Sequence, residues 1–240
     1  MTLNCSRTIV EQSDGDGFKA VFFDIDGTLV YFEATGMERG MKVLRELGLY
    51  SDAVAEAYRS AEEWFRGRVK THLDRRREVF LEYNRLVLER LGIHEGLDEL
   101  AEEIQRRWEN QPDKVYPEVK DVLQRLKGRN LRLGVVSHRY PILTEKSLRR
   151  HGLLELFSCS VSPLEAEAPL GKLDPKLWDF ALHRIGVKRE EAVHVGDEPE
   201  TDVAGAERAG LTPILVDREN KYQGIACLRI MDLTQLLKLV

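Results

Sequence analysis

Short apolar runs, each cut off by a polar residue and set apart by amphipathic stretches, restrict this chain to very few architectures. The first is Val21-Phe22-Phe23, within Phe18 to Asp24, and similar runs recur at Leu131 to Val136, Ala192 to Val195 and Pro213 to Val216. Each is too short for a helix and rich in β-formers, as strands buried on both faces are. A weaker run at Ile225 to Ile230 is a candidate fifth strand. Between the later runs, apolar residues return at helical spacing. Glu118 to Lys127 carries Val119, Val122, Leu123 and Leu126 on one face, and Ile142 to His151, Pro175 to Ile185 and Glu200 to Ala209 follow the same pattern. Strands alternating with helices predict an α/β fold, a doubly wound parallel sheet covered on both faces.

The long stretch between the first two runs breaks this alternation and contains no convincing strand. Four amphipathic helices account for it, marked by Met37, Met41, Leu44 and Leu47, by a segment ending near Phe65, by Val79 to Leu91, and by Leu97, Leu100, Ile104 and Trp108. An inserted helical domain is therefore expected at 34–112, within an α/β core formed by 18–33 and 113–240. Residues 1–17 are polar, end in Ser13-Asp14-Gly15-Asp16-Gly17, and are expected to be a mobile lead-in.

Bulk properties exclude several classes. A net charge of -5 over 240 residues argues against nucleic acid or an anionic membrane as the main partner. No apolar run approaches the ~20 residues of a membrane span, and the N-terminus lacks the order of a signal peptide. Three cysteines, far apart and without Cys/His pairing, fit a reducing compartment and no zinc site. A cytoplasmic protein is the expectation.

Ligands of open α/β sheets bind beyond the carboxyl ends of the strands, so the residues leaving each strand define the candidate site. The first strand gives Asp24-Ile25-Asp26-Gly27-Thr28, the second Ser137-His138-Arg139, and the third Gly196-Asp197, with Asp202 soon after. Lys172 lies in Gly171-Lys172-Leu173-Asp174-Pro175, before the helix that precedes that third strand. Carboxylates, a hydroxyl and a lysine on one edge suit a metal and an anionic substrate. Asp24 can attack phosphorus as a nucleophile. Asp26, two residues on, can protonate the leaving oxygen and then deprotonate water. Gly27 permits a close turn that lets backbone N–H groups approach a phosphate, and Thr28 adds a hydroxyl. Asp197 can complete an all-oxygen Mg²⁺ site, with Asp202 a further ligand or a partner behind it. Lys172 and Ser137 can stabilise phosphoryl oxygens.

Phe22-Phe23-Asp24-Ile25-Asp26-Gly27-Thr28-Leu29 resembles the first motif of the haloacid dehalogenase superfamily. Ser137 after its strand, Lys172-Leu173-Asp174-Pro175, and His194 to Asp197 with Asp202 to Ala206 are similar to the motifs that follow, in the right order from about Phe18 to Val216. The resemblance implies Mg²⁺ held by the Asp24 carboxylate, the Asp26 backbone carbonyl and Asp197. It also implies that the helical insert is the substrate-selecting cap of the phosphoglycolate-phosphatase-like branch. The chain departs from the family pattern at Leu173, where proline is usual, at His138-Arg139 and at Glu198-Pro199; the last two bear on substrate identity.

The expected activity is Mg²⁺-dependent hydrolysis of a small phosphorylated metabolite through an aspartyl phosphate. A phosphomutase of the β-phosphoglucomutase type and a regulatory binding protein on the same scaffold stay open as alternatives, whereas Asp26 argues against dehalogenation, whose halide leaving group needs no proton. His138 and Arg139 are candidate substrate contacts. The insert also holds a cationic run, Arg66, Arg68, Lys70, His72, Arg75, Arg76 and Arg77. A solvated face is the usual reading of such a run; the sharper one has Arg66 and Arg68 gripping a second anionic group of the substrate.

Overall fold

The computed structural model describes residues 17–69 and 75–240. The expected lead-in therefore lies, but for Gly17, outside the described residues, as do Lys70 and His72 of the cationic run. The chain divides into two compact units, one of Met1–Tyr31 with Lys114–Val240 and one of Phe32–Asp113.

In chain order, β1 (Ala20–Phe23) and β2 (Val30–Tyr31) lead into four helices, α1 (Gly36–Glu46), α2 (Val54–Val69), α3 (Arg76–Arg90) and α4 (Leu97–Glu109). The chain then returns through β3 (Lys114–Val115), α5 (Val119–Gly128), β4 (Arg132–Val136), α6 (Pro141–Arg150) and β5 (Cys159–Val161). It ends with α7 (Pro175–Ile185), β6 (Ala192–Gly196), α8 (Ala204–Ala209), β7 (Thr212–Val216) and β8 (Leu228–Ile230).

The six longer strands form one sheet in the order β5-β4-β1-β6-β7-β8, every pairing parallel. Alternation along β1 explains why both faces are covered. Val21 and Phe23 pack into a layer with Val119, Val122, Leu123 and Leu126 of α5 and Leu148 of α6. Ala20 and Phe22 pack into the opposite layer with Leu177, Trp178, Ala181, Leu182 and Ile185 of α7 and Ala206 and Ala209 of α8. Strand order runs outward from β1 through β4 to β5, then resumes on the other side at β6. The reversal places a crevice beyond the carboxyl end of β1, where ligands of such sheets bind.

The structure revises three sequence expectations. A sixth sheet strand, β5, was not anticipated, because Cys159-Ser160-Val161 is short and half polar, as an edge strand can be. The stretch after the first strand does contain a strand: β2 pairs antiparallel with β3, Val30 opposite Val115 and Tyr31 opposite Lys114. Two residues carry no readable alternation, and the pairing is supported by Tyr31 and Tyr116, whose rings lie 4.7 Å apart. The helix expected over Glu200 to Ala209 is instead a π-helical turn, Pro199–Val203, continued by α8.

The four-helix unit has its own core of Val43, Leu44, Val54, Tyr58, Tyr83, Val87, Leu88 and Ile104, among others. Thr35 caps α1 in a reciprocal arrangement with Glu38. Gly40 sits mid-helix because a Cβ there would stand 2.3 Å from the Tyr58 hydroxyl oxygen. Arg39, buried, stacks between the Phe32 and Trp108 rings, 3.5 and 3.9 Å from their centroids.

Leu123 is fully buried between α5 and the sheet. Leu123→Ala should lower unfolding free energy by about 2–5 kcal/mol, through lost transfer energy and the cavity left behind. Urea denaturation measures this, and a loss below ~1 kcal/mol would contradict the packing described.

Candidate active site

A lysine with 2% exposure organises the sheet's carboxyl edge. The Lys172 Nζ donates to Asp24 Oδ1 and, at 2.6 Å, to Asp202 Oδ1. The loop around it is held on three sides. The Trp178 indole N–H donates to the Lys172 carbonyl at 2.7 Å, and the Lys172 N–H donates to His138 Nε2 at 3.2 Å. Gly205 of α8 packs so closely that a Cβ there would lie 2.1 Å from the same carbonyl. Just beyond, Asp174 accepts from the Lys176 N–H and Pro175 opens α7, a conventional helix start that stops the loop from drifting.

Asp202 lies in the π-helical turn, not at a helix N-cap, and both of its oxygens are engaged. Oδ1 meets Lys172 and, at 2.8 Å, His194 Nε2, while Oδ2 accepts from the Glu198 N–H at 3.0 Å. Burial pushes its carboxyl upward, but the Lys172 ammonium and the His194 contact outweigh this and hold it below the usual carboxylate range. Burial would likewise depress Lys172, yet Asp202 and Asp24 keep its ammonium above its ordinary value. His194 is depressed by burial and packs edge-on to Trp178, ring centroids 4.7 Å apart.

Asp24 leaves β1 with its N–H donated to the Val195 carbonyl, so its side chain starts from the centre of the sheet. Burial raises its carboxyl well above the usual range, against the pull of Lys172. Asp197 is pushed up to about 7 by burial and then by repulsion from Asp202. One carboxylate oxygen from each of Asp24, Asp197 and Asp202 lies within 4.8 Å of the others. Three carboxylates face one ammonium, which leaves two negative charges in a buried all-oxygen cluster. That donor set and charge fit a hard divalent cation such as Mg²⁺. Because Asp202 is committed to Lys172, His194 and a backbone N–H, Asp24 and Asp197 are the carboxylates with capacity to spare.

Gly27 adopts φ +75°, and a Cβ there would stand 2.1 Å from Asp197 Oδ2, so the turn admits only glycine. Its own N–H donates to the Val30 carbonyl and is not directed at a ligand. Thr28 is fully buried, with its hydroxyl 3.4 Å from Asp197 Oδ1. Ser137, buried at the end of β4, donates its backbone N–H to Val161, and its hydroxyl oxygen accepts from the Arg139 N–H at 3.2 Å. The two residues expected to meet substrate there are already engaged: His138 with the Lys172 loop, and Arg139 with Asp26 through Nε–Oδ2 at 2.8 Å and a second contact from Nη2 to Oδ1.

In the helical unit, Arg66 is 77% exposed and pairs with Glu62, and Arg68 stacks on Trp64 at 4.5 Å. The Glu62 carboxylate thus already accepts from one of the two arginines expected to grip an anion.

Two residues with a part in the site carried no role in the sequence reading. His194 lies inside a buried strand, where nothing distinguishes a core histidine from one that holds an acid. Arg218 follows β7 and donates to the Gly27 and Thr28 carbonyls at 3.4 and 2.9 Å. It also pairs with Glu118 at 2.7 Å and lies 3.5 Å over the Tyr116 ring, fastening the Asp24 loop. Its signal was available, since it leaves a strand on the same edge of the sheet as the other site residues.

Comparison with known proteins matches residues 18–210 to the family of haloacid dehalogenase-like hydrolases. The chain is similar to a glyceraldehyde 3-phosphate phosphatase of Methanopyrus kandleri, 30% identical over 211 residues, 85% of this chain and 86% of that one. It is also similar to a phosphoserine phosphatase of Thermus thermophilus, 38% identical over 127 residues, 53% of this chain and 49% of that one. The match thus spans about half the length of the Thermus protein. Among solved structures, a HAD phosphatase from Thermococcus onnurineus superposes with a TM-score of 0.65 at 26% identity, covering 92% of this chain and 97% of that one.

The raised Asp197 carboxyl has a consequence for stability. Without divalent ions, Asp197 titrates near 7 when folded and near about 4 when unfolded. The folded state then binds more protons between those values, so this contribution is fully present below about pH 4 and lost as pH rises towards 7. In chelator, urea titrations at pH 5 and 7.5 should show wild type losing more stability than Asp197→Asn, and added Mg²⁺ should stabilise wild type more at pH 7.5. Equal pH slopes in the two proteins would rule out this account of Asp197.

Proposed function

Because the chain belongs to the family of haloacid dehalogenase-like hydrolases, we propose that it is a Mg²⁺-dependent phosphatase, acting on a small phosphorylated metabolite through an aspartyl phosphate on Asp24. The observation that carries this reading is the Lys172 ammonium bridging Asp24 and Asp202, with Asp197 beside them. Relatives named as phosphatases support a phosphate ester as substrate.

In the first step an Asp24 oxygen attacks phosphorus, the bond from phosphorus to the ester oxygen breaks, and Asp26 gives that oxygen a proton. In the second, water attacks phosphorus, Asp26 takes its proton, and the Asp24 carboxylate is released. Dividing one displacement into two lowers the barrier of each. Lys172 orients the nucleophile and offsets negative charge on the phosphoryl oxygens, and the Ser137 hydroxyl supplies a hydrogen bond to them. The Asp24 and Asp197 carboxylates and the Asp26 carbonyl would hold Mg²⁺, which when bound supplies charge neutralisation between nucleophile and phosphate. Asp202 acts through Lys172, fixing where its ammonium points. Among the described residues no helix is long and apolar enough to cross a membrane, and we place this activity on a cytoplasmic metabolite.

Asp24→Asn should abolish Mg²⁺-dependent phosphate release across a panel of phosphorylated metabolites and p-nitrophenyl phosphate. Rapid quenching of wild type followed by borohydride should convert residue 24 to homoserine, detectable by peptide mass spectrometry. Full turnover by Asp24→Asn would end the proposal.

A further inference from the structure

Arg139, a candidate substrate contact, directs its guanidinium at another residue of the site, Asp26. It leaves β4, and β4 lies beside β1 with Val135 opposite Phe23. Asp26 follows Phe23 by three positions and Arg139 follows Val135 by four, so strand register brings the two side chains together. Nε donates to Asp26 Oδ2 at 2.8 Å, and Nη2 donates to Oδ1. The Arg139 side chain is only 15% exposed while that of Asp26 is 51% exposed. The Arg139 N–H is held by the Ser137 hydroxyl oxygen. The arginine is therefore the fixed member of the pair and the aspartate the member being held.

We propose that Arg139 is a positioning residue that sets the plane of the Asp26 carboxylate for proton transfer, an inference that rests on the phosphatase reading above. A half-exposed aspartate on a turn would otherwise distribute among rotamers. A guanidinium fork meets both carboxylate oxygens at once and so fixes the carboxylate's orientation as well as its position, which a lysine ammonium, a point charge, does not. Each carboxylate oxygen carries two acceptor sites. The fork uses one on each and leaves the other to carry the proton that passes to the leaving oxygen and is later taken from water. Arg139 keeps its own protons throughout.

The leaving group provides the test. p-Nitrophenolate departs without a proton, whereas the alkoxide of glycerol phosphate needs one, so a residue that acts through Asp26 affects the two esters unequally. With saturating Mg²⁺, Arg139→Lys and Arg139→Gln should lower kcat/KM on glycerol phosphate by about 10–100-fold, up to the lower end of the ~10²–10⁴-fold that general acid–base help supplies. On p-nitrophenyl phosphate kcat/KM should fall less than about threefold, because kcat/KM reports the departure of the leaving group and not the water attack that both esters share. In an Asp26→Asn background the same substitutions should have no further effect. A rise in KM on both esters at unchanged kcat would make Arg139 a substrate ligand and overturn the proposal. So would a fall in kcat/KM of the same size on both esters, or one that persists without Asp26. If wild type hydrolyses neither these esters nor any metabolite of the panel above, the phosphatase reading itself fails, a result distinct from all of these.

Discussion

A positive charge with almost no contact with water, Lys172 between Asp24 and Asp202, is the constraint to which the rest of the site answers. Removing an ammonium from water costs several kcal/mol unless partners replace its hydration. Here two carboxylates do so, one from the β1 end and one from the π-helical turn. The indole of Trp178, the imidazole of His138 and the missing side chain at Gly205 all serve to hold the loop that delivers it. Asp202 in turn is steadied by His194 and the Glu198 N–H. Asp24 thus sits on one side of a network whose other side is structural, and the same lysine belongs to both.

The same arrangement gives the site a donor set that could hold a metal ion. A single ammonium leaves the three carboxylates two charges in excess, and burial raises Asp24, despite its contact with Lys172, and Asp197 as well. A buried acid held above its ordinary range is under electrostatic stress that a proton or a metal relieves. Gly27, pressed against Asp197 in a left-handed turn, and Arg218, donating to the Gly27 and Thr28 carbonyls, keep the loop from relaxing away.

Much of this was legible in the residues themselves. Strands buried on both faces are continuous apolar runs, so β1, β4, β6 and β7 could be read directly, and Asp24, Ser137 and Asp197 at or just past their ends followed from the geometry of open sheets. What escaped was short, or depended on distant partners. Two-residue strands have no period, and Cys159-Ser160-Val161 lies on the sheet's edge. A π-helical turn differs from an α-helical one by a single hydrogen-bond step that side-chain spacing does not reveal. The pairing of Arg139 with Asp26 comes from strand register, so the sequence around position 139 suggested a substrate contact or an exposed cation, not a partner for Asp26. Arg66 illustrates the converse: a cationic run is visible in sequence, but the pairing of this member with Glu62 is seen only once the helix is built.

The strand order also constrains how the protein is made. β1 is translated early, yet its sheet neighbours begin only at Arg132 and Ala192. The helical unit, Phe32–Asp113, emerges from the ribosome in between and has its own apolar interior. Domains generally fold as units during synthesis, so the helices can condense while Val21-Phe22-Phe23 is still an unpaired strand. The most apolar segment of the sheet must therefore wait through more than a hundred residues of elongation, the interval in which a nascent chain of this topology most depends on chaperones to keep a bare strand from finding another one.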